Sequence, residues 1–138
     1  MSTTKKAMIG GQALRALGHD RHTDDVDFFV NVPGQPLFSH FDDRDEVNAA
    51  CHKFLSLVWD NMTVTDGVAD PQTLGELKAW SFINHCQNMQ WKKVAATEYD
   101  MIFLAREFGV TRFPILEKFA HAGEMSEIMR VVLRADNA

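Results

Sequence analysis

No apolar run in this chain approaches the length needed to cross a bilayer, and the opening MSTTKKAMIGG is too poor in apolar residues for a secretory signal. A cytoplasmic protein with no membrane partner is expected. Cysteine is scarce: Cys51 and Cys86 have no metal-ligand spacing, which excludes a disulfide framework and leaves two free thiols in a reducing compartment. Without secretion, the glycosylation sequon at Asn61-Met62-Thr63 means nothing. The chain has no Walker A loop, no GxSxG elbow and no Cys–His nucleophile pattern. It also lacks internal repeats, low-complexity tracts and Ser/Gly linkers. Basic excess is missing too, since the formal net charge is −5. That argues against sequence-independent nucleic-acid binding as the main task, which needs phosphate-neutralising Lys and Arg. A local basic face around Lys92, Lys93, Arg106 and Arg112 reads as solvated helix surface.

What is present is ordinary in bulk. The 138 residues, 46% apolar and 24% charged, suit one soluble domain with a single core. The acidic excess is uneven: residues 1–66 carry 6 Lys and Arg against 10 Asp and Glu, whereas residues 67–138 carry 8 against 9. Negative charge therefore gathers in the half that contains Gly10 to Val30, GGQALRALGHDRHTDDVDFFV. Read as a strand, Val26 to Val30 has period two, so Asp25 and Asp27 project from one face. Two carboxylates beside Phe28, Phe29 and Val30 are costly to bury unless a positive group neutralises them. Magnesium ions carrying nucleotide phosphates suit them best, because hard oxygen ligands suit magnesium. The pair Gly10-Gly11, lacking β-carbons, lets backbone N–H groups approach a phosphate closely at the start of a Gln12–Leu17 helix.

In order along the chain, Ala7-Met8-Ile9 reads as a first strand and Gly18 stops the short helix that follows. The cluster NVPGQP ends the aspartate strand. Asp42, Asp43 and Asp45 read as the acidic start of a helix whose buried stripe is Val47, Cys51, Phe54 and Val58. Met62 to Thr65 reads as a third strand ended by Asp66-Gly67. Thr73-x-x-Glu76 is a capping-box pattern that opens a helix to about Asn84. Lys93 to Phe108 is the next helix, stopped by Gly109, and two shorter helices are expected at Phe113 to His121 and Met125 to Ala135. The order β-α-β-α-β followed by helices gives an α+β fold, with a sheet-containing half (1–70) and a helical half (71–138) in one domain. His19, His22 and Asp25, spaced three apart, mimic a metal cluster, but their loop setting favours the plain reading. The remaining histidines are scattered. Trp59, Trp80 and Trp91 read as core rather than base-stacking platforms.

Taken together, Gly10-Gly11-x-Ala13, Gly18 and Arg21-x-Thr23-x-Asp25-x-Asp27 resemble the nucleotidyltransferase fold. The pattern is most similar to the AbiEii-like and related minimal nucleotidyltransferases of bacterial toxin–antitoxin and phage-defence systems. The stretch Leu77-Lys78-Ala79, Lys93 and Glu98-Tyr99-Asp100 is similar to the downstream part of that family, while residues 31–72 match only in outline. The resemblance implies a small mixed sheet with a helical C-terminal part. It also implies two Mg²⁺ ions on Asp25 and Asp27, and a nucleoside triphosphate held by Gly10, Gly11, Arg21 and Thr23. Lys78 would stabilise charge on the triphosphate, and Asp100 would act on the attacking hydroxyl. The expected activity is transfer of a nucleoside monophosphate to a hydroxyl of RNA, protein or a small molecule. Relatives usually carry a helix before the first strand, and a homodimer or a partner protein is expected to cover its place here. Many nucleotidyltransferases add a third strand carboxylate; Asp60, Asp66 and Asp70 lie near the expected third strand, none in a DxD-like context. The alternative is a non-catalytic nucleotide-binding or protein-interaction module of antitoxin or regulator type on the same fold.

Overall fold

The computed structural model describes residues 6–137. Expectations about the segment ahead of the first strand fall largely on residues 1–5, outside the described residues. Among the described residues no helix is long and apolar enough to cross a membrane. The chain divides into two compact units between Leu74 and Gly75.

In the first unit, strand β1 (Ala7–Ile9) runs directly into helix α1 (Gly10–Ala16), which begins at the glycine pair rather than at Gln12. Strand β2 (Asp27–Val30) pairs antiparallel with β1, with Ile9 opposite Asp27. Residues 38–48 then depart from expectation. Instead of starting a helix, Asp42-Asp43 turns a hairpin between β3 (Phe38–Phe41) and β4 (Arg44–Asn48). Arg44 closes the turn by lying over the Phe41 ring, 4.6 Å from its centroid. Asn48 separates strand from helix. Buried to 1% exposure, its amide oxygen accepts the Val32 and Ala50 N–H groups, and its amide nitrogen donates to the Val32 and Gln35 carbonyls. So anchored, it ends β4 and ties down the NVPGQP loop, and helix α2 (Lys53–Asp60) starts only after a 3-10 turn at Ala49–Cys51. The helical-looking stripe from Val47 to Val58 thus joins a strand residue to a later helix.

The expected third strand is half of a second hairpin, β5 (Val64–Thr65) and β6 (Val68–Ala69). Asp66 and Gly67, both at positive φ (52° and 80°), form its two-residue turn, a geometry that matches the right-handed twist of the strands. The sheet order is β3-β4-β2-β1-β6-β5, with β2–β4 and β1–β6 parallel and the other pairs antiparallel. Phe38 and Phe41 stand exposed on the outer strand β3. The core gathers Leu14, Phe29, Phe54, Leu55 and Val58, and the Phe29 ring meets Trp59 edge to face at 5.2 Å.

Helix α3 (Pro71–Gln87) begins earlier than the capping-box pattern placed it. Asp70 caps it, accepting the Thr73 N–H (3.1 Å) and the Thr73 hydroxyl (2.6 Å), and Pro71 occupies the first helical position, where no N–H is needed. Glu76 does not close a capping box. In the second unit its carboxylate accepts the Ile115 and Leu116 N–H groups at 2.9 and 3.0 Å. That bond holds the chain after Pro114 in a single 3-10 turn (Leu116–Lys118), where a helix from Phe113 to His121 was expected. Helix α4 (Trp91–Phe108) ends at Gly109 as its sequence indicated, but starts with Trp91, which is 62% exposed rather than core. Helix α5 (Ala122–Leu133) takes Gly123 into its first turn and opens on a Glu124 carboxylate that accepts the His121 N–H at 2.8 Å. Leu104, Phe113, Leu116 and Ile128 fill this unit's core. Together the two units make an α+β protein, a mixed six-stranded sheet and five α-helices among the described residues.

Burial pushes the Glu76 carboxyl up from its ordinary pKa, and the two N–H donors only partly offset it. The folded chain therefore keeps this proton to higher pH than the unfolded chain. The stability linked to it is fully present below about 4.5, the unfolded value, and is lost as pH rises through the folded value. Measured by urea unfolding, the wild-type chain should lose stability relative to Glu76→Gln as pH rises above about 4.5. A pH-independent difference between the two would remove the linkage.

Candidate functional site

The glycine pair, the loop after α1 and the first residues of β2 meet in one place. Gly10 has φ 71°, and a β-carbon on it would lie 3.2 Å from Asp27 Cβ and closer still to the carboxylate. A β-carbon on Gly11 would meet Arg21 Nη1 at 2.5 Å and the Thr23 side chain at 2.7–2.9 Å. Both glycines are thus required by close packing, because each faces another residue of the same motif. The loop is braced from within: Gln12 Nε2 donates to the Thr23 carbonyl at 2.9 Å, and Thr23 Oγ1 accepts the Asp25 N–H at 3.3 Å. Thr23 therefore positions Asp25, and Arg21 fills the space beside Gly11. Asp25 is exposed and precedes the strand, whereas Asp27 is half-buried at the first strand position.

The sheet adds a carboxylate that the sequence did not single out. In the parallel β2–β4 ladder Asp27 stands opposite Asp45, and the Asp45 N–H donates to the Val26 carbonyl at 2.8 Å. Opposed residues on neighbouring strands share a face, so Asp27 and Asp45 form an acidic row. Its outer member is His40, opposite Asp45 on β3, with Nδ1 in direct contact with the Asp45 carboxylate. The next position on β4, Glu46, points to the opposite face and is answered by Lys6 at 3.7 Å and Arg44 at 3.5 Å. Asp60, Asp66 and Asp70 have other places: the end of α2, a hairpin turn and a helix cap.

The donor chemistry fits a hard cation, since Asp25, Asp27 and Asp45 offer only carboxylate oxygens. Among the described residues no three His, Cys, Asp or Glu side chains stand together in metal-holding geometry. His19 and His22 do not join the row: His19 is buried and His22 lies 3.4 Å from Asp24.

Lys78 and Asp100 belong to the second unit and pair with each other. Lys78 Nζ lies 2.9 Å from Asp100 Oδ2, with side-chain exposures of 16% and 0%. Two turns along α3, His85 Nδ1 sits 3.3 Å from Thr97 Oγ1 on α4. Burial, then Lys93 and Lys78, push the His85 pKa down, which keeps the ring neutral. A polar seam of Lys78, Asp100, His85 and Thr97 therefore joins α3 to α4. Cys51 and Cys86 are free, and burial followed by Glu98 and Glu127 raises the Cys86 pKa, which keeps it a thiol.

Two stability measurements follow. Gly10→Ala should destabilise the protein by about 1–3 kcal/mol through strain and displacement of Asp27. Gly18→Ala, where a β-carbon meets nothing, should lose only the backbone part, about 1 kcal/mol. Equal losses would show that Asp27 is not held by this contact. Lys78→Ala removes the ammonium that pairs with the buried Asp100 carboxylate and should cost about 3–5 kcal/mol in chemical denaturation. A loss below about 1 kcal/mol would place the pair among weak surface ion pairs. Comparison of the chain with protein-family models, with curated proteins and with solved structures gives no match.

Proposed function

We propose that the first unit carries a metal-dependent nucleotidyl-transfer site, and that the chain moves a nucleoside monophosphate from a triphosphate to a hydroxyl. The observation that supports this reading most is the acidic row. Asp27 and Asp45 share a face on adjacent strands, Asp25 is presented by the Thr23 turn, and the glycine-started helix packs directly on Asp27. Mg²⁺ would be held by Asp25, Asp27 and Asp45, which must draw closer to share it because the described residues show no three-ligand group, and Asp45 would be the third strand carboxylate. Bound there, it would neutralise triphosphate charge and favour ionisation of the attacking hydroxyl. Gly10 and Gly11 let the backbone approach a phosphate, and the Arg21 guanidinium beside Gly11 offers a planar donor set for its oxygens. In the reaction the acceptor oxygen bonds to the α-phosphorus, pyrophosphate departs on the broken phosphoanhydride bond, and the hydroxyl proton passes to water.

A second reading rests on the His40 contact. A ring seated on Asp45 occupies one of the three carboxylates, as it would in a module of this fold that binds a nucleotide or a partner protein without turnover.

Incubation with labelled nucleoside triphosphates and Mg²⁺, across RNA, protein and small-molecule acceptors, separates the two. Transfer predicts a labelled acceptor, with signal falling at least about 10²-fold in Asp27→Asn and in Asp45→Asn. Both substitutions keep the shape of the side chain, so each variant should retain a cooperative melt, which separates loss of labelling from loss of fold. Undiminished labelling in Asp27→Asn would overturn catalysis at this row. Mg²⁺-dependent stabilisation by a triphosphate without any labelled acceptor would favour the binding module. Lys78→Ala is a poor probe of chemistry, since loss of fold and loss of activity would coincide.

A further inference from the structure

The turn between α3 and α4 has a composition that the fold does not use. Met89 is 71% exposed and sits at φ 55°, a left-handed position that glycine normally fills at a helix end. The Trp91 side chain, on a residue 62% exposed, makes no hydrogen bond or ring contact among the described residues. Lys92 and Lys93 follow, both exposed and both without an ion pair among the described residues, and the first turn of α4 has no acidic residue. Three carboxylates of the same unit are engaged elsewhere. Glu124 accepts from Gln87 and from the His121 N–H, Glu127 pairs with Arg130 at 3.1 Å, and Glu98 pairs with Arg134 at 3.4 Å. Neither Lys92 nor Lys93 is neutralised by an ion pair among the described residues, so both charges face solvent. Lys93 also contributes to the field that disfavours protonation of His85.

We infer that this tip, Asn88 to Lys93, is a docking surface for single-stranded nucleic acid, with a base stacked on Trp91 and the strand's phosphates on Lys92 and Lys93. A flat indole, largely exposed and without a ring partner among the described residues, is the stacking partner that an unpaired base needs, and every base has a face to offer it. Two adjacent lysines with no internal counter-charge complement a phosphate backbone. The Gln90 amide beside Met89 can donate to and accept from base edges, and the Asn88 amide, whose nitrogen donates to the Asn84 carbonyl at 2.8 Å, keeps its oxygen for them. A membrane surface fits less well, because stable attachment needs a cluster of several basic residues or a broad apolar face, and the tip has two lysines and two apolar side chains. The chain's net negative charge is consistent with a local contact of this kind rather than a basic groove. The inference stands whether or not the first unit transfers nucleotides.

Fluorescence anisotropy with labelled single-stranded 12-nucleotide RNA and DNA tests it on the full chain. Binding should be measurable at 50 mM salt and weaken about sevenfold by 200 mM, as two phosphate contacts on a single strand require. Trp91→Ala should weaken binding about tenfold or more. The double variant Lys92→Ala, Lys93→Ala should flatten the salt dependence. A duplex of the same sequence should bind more weakly than either single strand, and the RNA and DNA arms show whether the 2′-hydroxyl is read. All three side chains are exposed, so melting temperatures should not change. Absence of binding at 50 mM salt, or binding unaffected by Trp91→Ala, would overturn the inference. Sedimentation with phosphatidylserine-containing vesicles in place of oligonucleotide binding would overturn it in favour of a membrane surface.

Discussion

The arrangement of the first unit depends on how closely β1, α1 and β2 approach one another. Strand β1 becomes a helix with no intervening loop, and the residue at that junction faces the first side chain of β2. Any β-carbon there would move Asp27, and with it the register that sets Asp27 opposite Ile9 on one side and Asp45 on the other. Gly11 imposes the same condition on Arg21 and Thr23, so the loop is held to the helix that it leaves. The motif is a packing solution first. Its carboxylates are fixed in place before any ligand is considered.

The second unit is specified differently, by charges taken out of water and satisfied internally. Glu76 bridges from α3 to the N–H groups that follow Pro114, and Asp100 meets Lys78 between α3 and α4. Such groups contribute less net stability than apolar packing of equal volume. They do make wrong packings costly, because a shift of one turn would strand a buried carboxylate. Leu104, Phe113, Leu116 and Ile128 supply the bulk attraction, and the carboxylates select among the ways those side chains could meet.

Local signals were legible and pairings were not. The strand at Ala7–Ile9, the aspartate strand, the stop at Gly109 and the α+β class all follow from periodicity and punctuation within a few residues. The run DDRDE carries the same composition whether it starts a helix or turns a hairpin, and the deciding residue, Asn48, acts through Val32 and Gln35, thirteen to sixteen positions away. Asp45 was missed for that reason: its importance lies in what it stands beside. Thr73-x-x-Glu76 failed likewise, because a stronger cap, Asp70 before Pro71, was available and Glu76 had distant donors to satisfy. Trp91 looked like core on composition alone, and only its place at a helix start exposed it.

The β3–β4 hairpin lies between Val30 and the ladder that Val30 helps to form. His40 and Asp45 are five residues apart, whereas Asp27 and Asp45 are eighteen apart. Closing the shorter loop costs less chain entropy, so the hairpin is the cheaper pairing and the parallel ladder is completed afterwards. On that ordering the acidic row forms when the hairpin docks onto the edge of β2, and Asp45 would arrive with His40 already opposite it.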